Sequence, residues 1–132
     1  MSALLLDTHI WAWSLTGTPL PAAIGEGLAA AQTIYVSPIS FYEIGQKVRL
    51  GKWPEMAPFV TQLPDLLREQ GGLIASLTPD ICLLAATMEW SHRDPFDRIL
   101  AATSLINGYP LASVDTAFDT FNEQGRTVSR LG

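Results

Sequence analysis

Short apolar runs alternate with segments of helical periodicity along most of the chain. A continuous apolar run such as ALLL near the start is typical of a strand buried on both faces. The β-branched and aromatic residues of TIYV strengthen the strand prediction there. The sequence predicts strands at residues 3–6, 33–36, 73–77 and 111–114, and a weaker pattern predicts a last one at 126–129.

The segments between these runs predict helices. Thr78 and Asp94 are residue types favoured as N-caps, and Pro95 suits the first helical position that follows. Pro58 and Pro64 predict that the apolar stripe of residues 56–70 is broken into two pieces. The predicted helices cover residues 8–15, 21–31, 39–50, 56–70, 79–88 and 95–106. Because strands alternate with helices, we expect a parallel sheet covered on both faces.

Composition narrows the class of protein. The 132 residues are 48% hydrophobic and 16% charged, which excludes an intrinsically disordered chain and predicts one domain over residues 1–132. The single cysteine, Cys82, excludes an internal disulfide framework and a cysteine-rich zinc site, and we expect it to be buried. No apolar run is long enough to span a membrane, and no basic leader precedes the first run. We therefore expect a cytoplasmic protein with no membrane partner.

The net charge of −5 argues against a generic basic surface for nucleic acid. A protein of this charge that handles nucleic acid needs another source of positive charge at the site. The one basic cluster is Lys47, Arg49 and Lys52 beside Trp53. It suits an RNA backbone, an acidic partner segment or simply a solvated helix end.

Four carboxylates follow predicted strands or begin predicted helices. Asp7 and Asp115 directly follow the strands at 3–6 and 111–114, Asp97 lies in the first turn of its helix, and Glu43 lies early in the helix after 33–36. The carboxyl ends of parallel strands share one edge of the sheet, where ligands bind. Singly, each acid has a structural alternative: N-caps for the first two, a helix-dipole partner for Asp97, and a pair with Lys47 for Glu43.

Carboxylates that converge on one edge repel one another unless a cation is bound. Mg²⁺ prefers oxygen ligands and suits open carboxylate sites that also bind phosphate. A metal held in this way activates water and neutralises charge that develops on a phosphodiester. The four acids together therefore predict a divalent-metal site.

The segments LLLDTHIWAW, ISFYEIGQK, HRDPFDRILAATS and SVDTAF, in this order, resemble the motifs of PIN-domain ribonucleases, and most closely those of the VapC-type toxins of bacterial toxin–antitoxin pairs. The resemblance runs from about residue 4 to about residue 118. It implies a three-layer α/β/α sandwich with a central parallel sheet. It also implies that Asp7, Glu43, Asp97 and Asp115 bind Mg²⁺ or Mn²⁺ and that the protein cleaves RNA. A homodimer and a cognate antitoxin partner are implied as well.

Within HRDPFDR the resemblance assigns the metal-binding role to Asp97, and Asp94 is left as the helix cap. Thr8 and Ser113 stand beside two of the acids, where their hydroxyls would orient a carboxylate or metal-bound water, or only cap and pack locally. Arg98 is a candidate for phosphate contact or for a salt bridge to a carboxylate.

The two histidines receive structural interpretations, whereas a second arginine is a candidate for binding. Neither His9 nor His92 has metal-ligand spacing to the other, so we expect His9 to be a partly buried helix residue and His92 to be a loop residue. Arg93, like Arg98, is a candidate for phosphate contact.

Two other functions compete with a metal-dependent endoribonuclease. One is another metal-dependent phosphate-ester hydrolase, although a haloacid-dehalogenase-like enzyme would place an Asp where this chain has His9. The other is a catalytically silent module of the same fold that binds a partner or RNA. A cleavage assay with an Asp7 variant separates these possibilities.

Overall fold

The computed structural model describes residues 2–132. The strands are β1 (Ala3–Leu6), β2 (Thr33–Val36), β3 (Leu73–Ile74), β4 (Leu111–Ala112) and β5 (Arg130–Leu131). The α-helices are α1 (Thr8–Thr16), α2 (Ala22–Ala30), α3 (Pro38–Arg49), α4 (Leu63–Glu69), α5 (Pro79–Thr87) and α6 (Pro95–Asn107). Two 3₁₀ helices, Pro54–Gln62 and Thr116–Thr120, complete the set.

The five strands form one parallel sheet in the order β3-β2-β1-β4-β5, with β1 at its centre. Side chains of β1 alternate between the two faces. Leu4 and Leu6 pack in one hydrophobic cluster with Trp11 of α1, whereas Leu5 packs in another with Leu100 of α6. Both faces are thus covered by helices, which confirms the predicted three-layer α/β/α sandwich with a central parallel sheet.

Helices α5 and α6 begin at the N-cap residues predicted from the sequence. The Thr78 hydroxyl accepts a hydrogen bond from the Ile81 N–H at the start of α5, and the Asp94 carboxylate accepts from two N–H groups at the start of α6. At the other end, α6 stops at Gly108, whose φ of 69° is readily adopted by glycine and rarely by other residues. The prolines divide residues 56–70 as expected, because the first 3₁₀ helix contains Pro58 and α4 begins at Leu63.

The prediction for the last strand is wrong. Residues 126–129 are not a strand, and β5 lies at Arg130–Leu131 instead. A tight turn occupies the preceding segment, where Gln124 and Gly125 have positive φ and Glu123 pairs with Arg126. The chain therefore reaches β4 only from Ser129 onward, where the Leu111 N–H donates to the Ser129 carbonyl. Strands β3 and β4 are also shorter than predicted.

Cys82 is exposed, so the expectation that it is buried is wrong. Helix α5 buries Ile81 and Ala85, four residues apart on one side. Cys82 lies about 100° further round the helix than Ile81 and faces outward. No helix in the described part of the chain combines the length and hydropathy that crossing a membrane requires.

Candidate active site

A cavity of about 390 Å³ lies at the carboxyl edge of the sheet, and all four acids singled out from the sequence line it. Asp7 follows β1, Glu43 lies on α3, Asp97 lies in the first turn of α6, and Asp115 precedes the second 3₁₀ helix. The parallel sheet thus brings together side chains that are up to 108 positions apart in the sequence. Thr8, His9, Trp13 and Lys47 also line the cavity.

Asp7 is both a helix cap and a cavity residue. Its Oδ1 accepts a hydrogen bond of 2.8 Å from the Ile10 N–H, and the residue is only 7% exposed. Burial raises the pKa of the Asp7 carboxyl, although hydrogen bonding from the Ser113 hydroxyl and the Ile10 N–H opposes this shift. Asp7 therefore does cap α1, and this hydrogen bond fixes its carboxylate at the edge of the sheet.

Among residues 2–132, Asp97, Asp115 and His92 form one group of candidate metal ligands, and Asp7 and Glu43 lie outside it. One ligand atom from each lies within 4.8 Å of the other two. Nε2 of His92 lies 2.7 Å from Oδ2 of Asp97. Burial raises the pKa of Asp97 to about 6, and nearby Asp94 adds to the shift, whereas the hydrogen bond with His92 opposes it.

Glu43 is buried in a pair with Lys47, whose Nζ lies 2.5 Å from Oε2 of Glu43. The ion pair with Lys47, which the sequence offers as the structural alternative for Glu43, is therefore formed, but its carboxylate is buried. The Glu43 side chain is 5% exposed and the Lys47 side chain 29%. Lys47 supplies the positive charge that a carboxylate in this position needs.

The hydroxyls of Thr8 and Ser113 form hydrogen bonds to other groups of the protein near the acids. Thr8 Oγ1 and Ser40 Oγ form a buried hydrogen bond of 2.9 Å, which joins α1 to α3 beneath the cavity. Ser113 Oγ accepts a hydrogen bond of 3.0 Å from the Asp115 N–H. Asp115 is further held by the Ala117 N–H, which donates to its Oδ1. Both hydroxyls therefore hold the backbone or helices that carry the acids.

Neither role considered for Arg98 is what the structure shows. Its guanidinium donates to the backbone carbonyls of Ala85, Met88, Trp90 and His92, at 2.6–2.9 Å. With four of its five N–H groups used in this way, Arg98 anchors the segment between α5 and α6, and it does not line the cavity that holds the acids. Arg93, the other candidate, is exposed.

Sequence reasoning missed the position of His92. The residue stands five before Asp97 in the most specific motif, HRDPFDR, and that placement was the available signal. Its contact with Asp97 depends on the path of the segment that Arg98 anchors, because Nη1 of Arg98 donates a hydrogen bond to the His92 carbonyl. His9 lies in α1 as expected, but the expectation that it is partly buried is wrong, because the residue is exposed at the cavity.

The donor set suits a divalent cation. Carboxylate oxygens with one imidazole nitrogen are ligands of Mn²⁺, and the carboxylates alone suit Mg²⁺. Ligand atoms on opposite sides of a Mg²⁺ ion are about 4.2 Å apart. Three atoms within 4.8 Å of one another therefore need only small side-chain rotations to reach one ion.

Comparison with known proteins identifies the class. Residues 4–124 match the family model described as PIN domain, and the chain belongs to that family.

Two relatives make the comparison more specific. The chain is 27% identical over 121 residues to "Ribonuclease VapC22" of Mycobacterium tuberculosis (strain ATCC 25618 / H37Rv), covering 87% of this chain and 88% of that protein. It shares its fold with a chain in the crystal structure of VapBC2 from Rickettsia felis bound to a DNA fragment from their promoter. That match has a TM-score of 0.56 and 15% identity, and it covers 86% of this chain and 88% of the other. The resemblance to VapC-type PIN proteins is thereby confirmed.

Proposed function

We propose that this protein is a metal-dependent endoribonuclease and the toxin of a toxin–antitoxin pair. The observation that carries the proposal is the convergence of Asp7, Glu43, Asp97 and Asp115 on one cavity of a PIN domain. A relative named as a ribonuclease VapC supports the reaction class, and the VapBC2 neighbour supports an antitoxin partner.

In this proposal the four acids that line the cavity hold Mg²⁺ or Mn²⁺, and His92 stands beside Asp97 and Asp115 as a nitrogen donor. The bound cation supplies the activation of water and the neutralisation of charge on the phosphodiester. It would also add positive charge at this edge of a protein whose net charge is −5.

The chain's own residues fix the geometry of the site. The Ile10 N–H holds one oxygen of Asp7, the Ala117 N–H holds one oxygen of Asp115, and His92 holds one oxygen of Asp97. Each of these bonds limits the rotation of a carboxylate before substrate arrives. Such preorganisation lowers the cost of assembling the reactive arrangement.

The proposal extends to partners and location. A homodimer, an antitoxin that blocks the cavity and a cytoplasmic location belong to it, because the VapC-type resemblance implies them. An antitoxin that covers the cavity would have to compete with a metal ion and RNA for the same acids, so its release is expected to restore cleavage.

The test is a cleavage assay on mixed tRNA and mRNA with Mg²⁺, Mn²⁺ or EDTA. The protein is purified free of antitoxin, as wild type and as Asp7→Asn. Wild type is expected to give discrete products that EDTA abolishes. The Asp7→Asn variant is expected to lose more than about 100-fold in activity, because even partners of metal ligands contribute 10- to 100-fold.

Asp65→Asn is the matched control. Asp65 is an exposed acid paired with Arg68 and does not line the cavity, so its variant is expected to cleave like wild type. Equal cleavage by wild type and Asp7→Asn would contradict the proposed site. Binding of RNA by wild type without any cleavage would favour the silent module.

A further inference from the structure

Two aromatic side chains, His9 and Trp13, line the same cavity as the four acids, and a third aromatic ring, Trp53, stacks behind His9. His9 lies two residues after Asp7 in the first turn of α1 and lines the cavity. Its imidazole stacks on the indole of Trp53, with ring centroids 4.7 Å apart and planes inclined by 28°. Trp13 lies edge-on to His9, with centroids 6.2 Å apart and planes inclined by 68°. We use the term aromatic wall for His9, Trp13 and Trp53.

His9 is exposed although it contacts two other rings. Trp53 stacks on the imidazole, and Trp13 lies at a steep angle to it. An exposed aromatic ring that is already backed by a second ring is a rigid stacking platform, because little side-chain freedom remains to be lost on binding.

Lys47 connects the aromatic wall to the acids. Its Nζ lies 5.6 Å from the centroid of the Trp53 ring and 2.5 Å from the Glu43 carboxylate. Cation–π attraction therefore favours Trp53 at the position where it backs His9. The platform and the acid cluster are thus held in one arrangement.

A second cavity of about 190 Å³ adjoins the first, since Trp13 lines both. Trp53 lines this smaller cavity too, with Thr16, Thr18 and Glu55 supplying polar groups. Space and hydrogen-bonding groups are therefore also present next to Trp13 and Trp53 in this smaller cavity, which none of the four acids lines.

We propose that the aromatic wall is a binding site for one nucleobase of the RNA, stacked on His9 next to the phosphodiester bond that is cleaved. This inference rests on the proposed function. The net charge of −5 leaves little general attraction for phosphates, so stacking and the metal site have to supply much of the affinity. Every base has a π-face, so a stacking site of this kind accepts any base.

The test compares two probes, a short oligoadenylate and an abasic ribose-phosphate oligomer of the same length. Binding is measured at one fixed Mg²⁺ concentration, with every protein carrying Asp7→Asn to prevent cleavage. Adding His9→Ala is expected to weaken oligoadenylate binding about tenfold and to leave binding of the abasic oligomer unchanged. Adding His9→Phe is expected to keep wild-type-like binding, because a ring remains.

Trp53→Leu is a second variant, expected to act in the same probe-dependent way. Tyr42→Ala is the control, because Tyr42 is an exposed aromatic residue of α3 that does not line the cavity. Circular dichroism and the melting temperature confirm that each variant is folded.

Equal weakening of both probes by His9→Ala, or no weakening of either, would overturn the inference. So would an equal effect of Tyr42→Ala, or a failure of oligoadenylate to bind at all. If His9→Ala weakens binding of a short arginine-containing peptide and not of oligoadenylate, the wall is a protein-docking site and the nucleobase assignment is wrong. The cleavage assay described under the proposed function gives a separate result. If the wild-type protein does not cleave RNA there, the proposed function is wrong, whatever the binding experiment shows.

Discussion

The carboxyl group of Asp97 is costly to keep ionised in the folded protein. Its pKa is 3.8 in an ordinary environment and about 6 in the fold, mainly because of burial. Between these two pH values the folded protein holds a proton that the unfolded chain has released. Stability therefore increases as the pH falls from above 6 towards 3.8, and the ionised carboxylate destabilises the metal-free protein above pH 6.

Asp97→Asn is therefore expected to raise the melting temperature of the metal-free protein at neutral pH. The pKa shift corresponds to at most about 3 kcal/mol, and the amide can still bond to His92. Thermal unfolding in EDTA measures the change, and the gain is expected to shrink as the pH is lowered from about 7.5 to about 5. A variant that melts lower than wild type at both pH values would show that the carboxylate stabilises the fold at the start of α6.

His92 is expected to contribute to metal binding. It contacts Asp97, and one of its ring nitrogens lies within 4.8 Å of a carboxylate oxygen of Asp115, so we expect it to act either as a ligand or as the partner of one. His92→Ala is expected to weaken Mn²⁺ binding by about 10- to 100-fold. Titration calorimetry on the protein without RNA measures this, with His9→Ala as the histidine control. Unchanged Mn²⁺ affinity in the His92 variant would exclude both roles.

At the residue scale, the sequence predicted the acids better than their partners. Asp7 and Asp115 follow strands, and strand order alone brings them to one edge. The contacts of His92 and the burial of the Glu43–Lys47 pair depend on side-chain rotations and on the path of a loop. Periodicity carries no information about either.

At the scale of elements, Arg98 joins α6 to the segment that leads into it. Its four hydrogen bonds to carbonyls tie Met88, Trp90 and His92 to the helix that carries Asp97. Lysine has three donors on one nitrogen and cannot reproduce the planar fork. The position of His92 beside Asp97 therefore depends on this arginine.

Arg98→Lys is expected to lower the free energy of unfolding by roughly 2–4 kcal/mol, because hydrogen bonds from charged groups contribute 1.5–3 kcal/mol each and some are kept. Urea denaturation measures the loss, and Arg93→Lys, at an exposed position, is the matched control. Equal stability of the Arg98 and Arg93 variants would show that the carbonyl contacts contribute little.

Strands and helices were predictable where the pattern is local. Neighbouring residues determine three such features: the apolar run of β1, the N-caps of α5 and α6, and the prolines that separate α4 from the 3₁₀ helix before it. Strand β5 was misplaced because it pairs with β4 only after a turn at Gln124 and Gly125. Arg130 then bonds Asp119 and the Ser113 carbonyl, contacts between residues that are 11 and 17 positions apart in sequence.

At the scale of the whole molecule, the balance of charges limits how the proposed RNA substrate is bound. The chain has 8 lysines and arginines against 13 acids. Four of the basic side chains are engaged within residues 2–132: Lys47 with Glu43, Arg68 with Asp65, Arg98 with carbonyls and Arg130 with Asp119. The other four are exposed: Arg49, Lys52, Arg93 and Arg126. The protein therefore offers at most about four cations to RNA phosphates.

The salt dependence of RNA binding is accordingly expected to be shallow. Each phosphate contact to a single strand contributes about −0.7 to the slope of log Kobs against log salt, so four contacts give a slope no steeper than about −2.8. Raising salt from about 50 to about 200 mM then weakens binding by at most about 50-fold, whereas six to ten contacts on DNA cost about 10³ to 10⁵. The measurement is the affinity of the Asp7→Asn protein for oligoadenylate at a series of salt concentrations and fixed Mg²⁺. A variant that also carries Arg49→Ala and Lys52→Ala is expected to have a slope shallower by up to about 1.4, the value for two phosphate contacts. A slope steeper than −2.8 would mean that cations outside this chain, such as those of a second copy or a partner, contribute to the RNA surface.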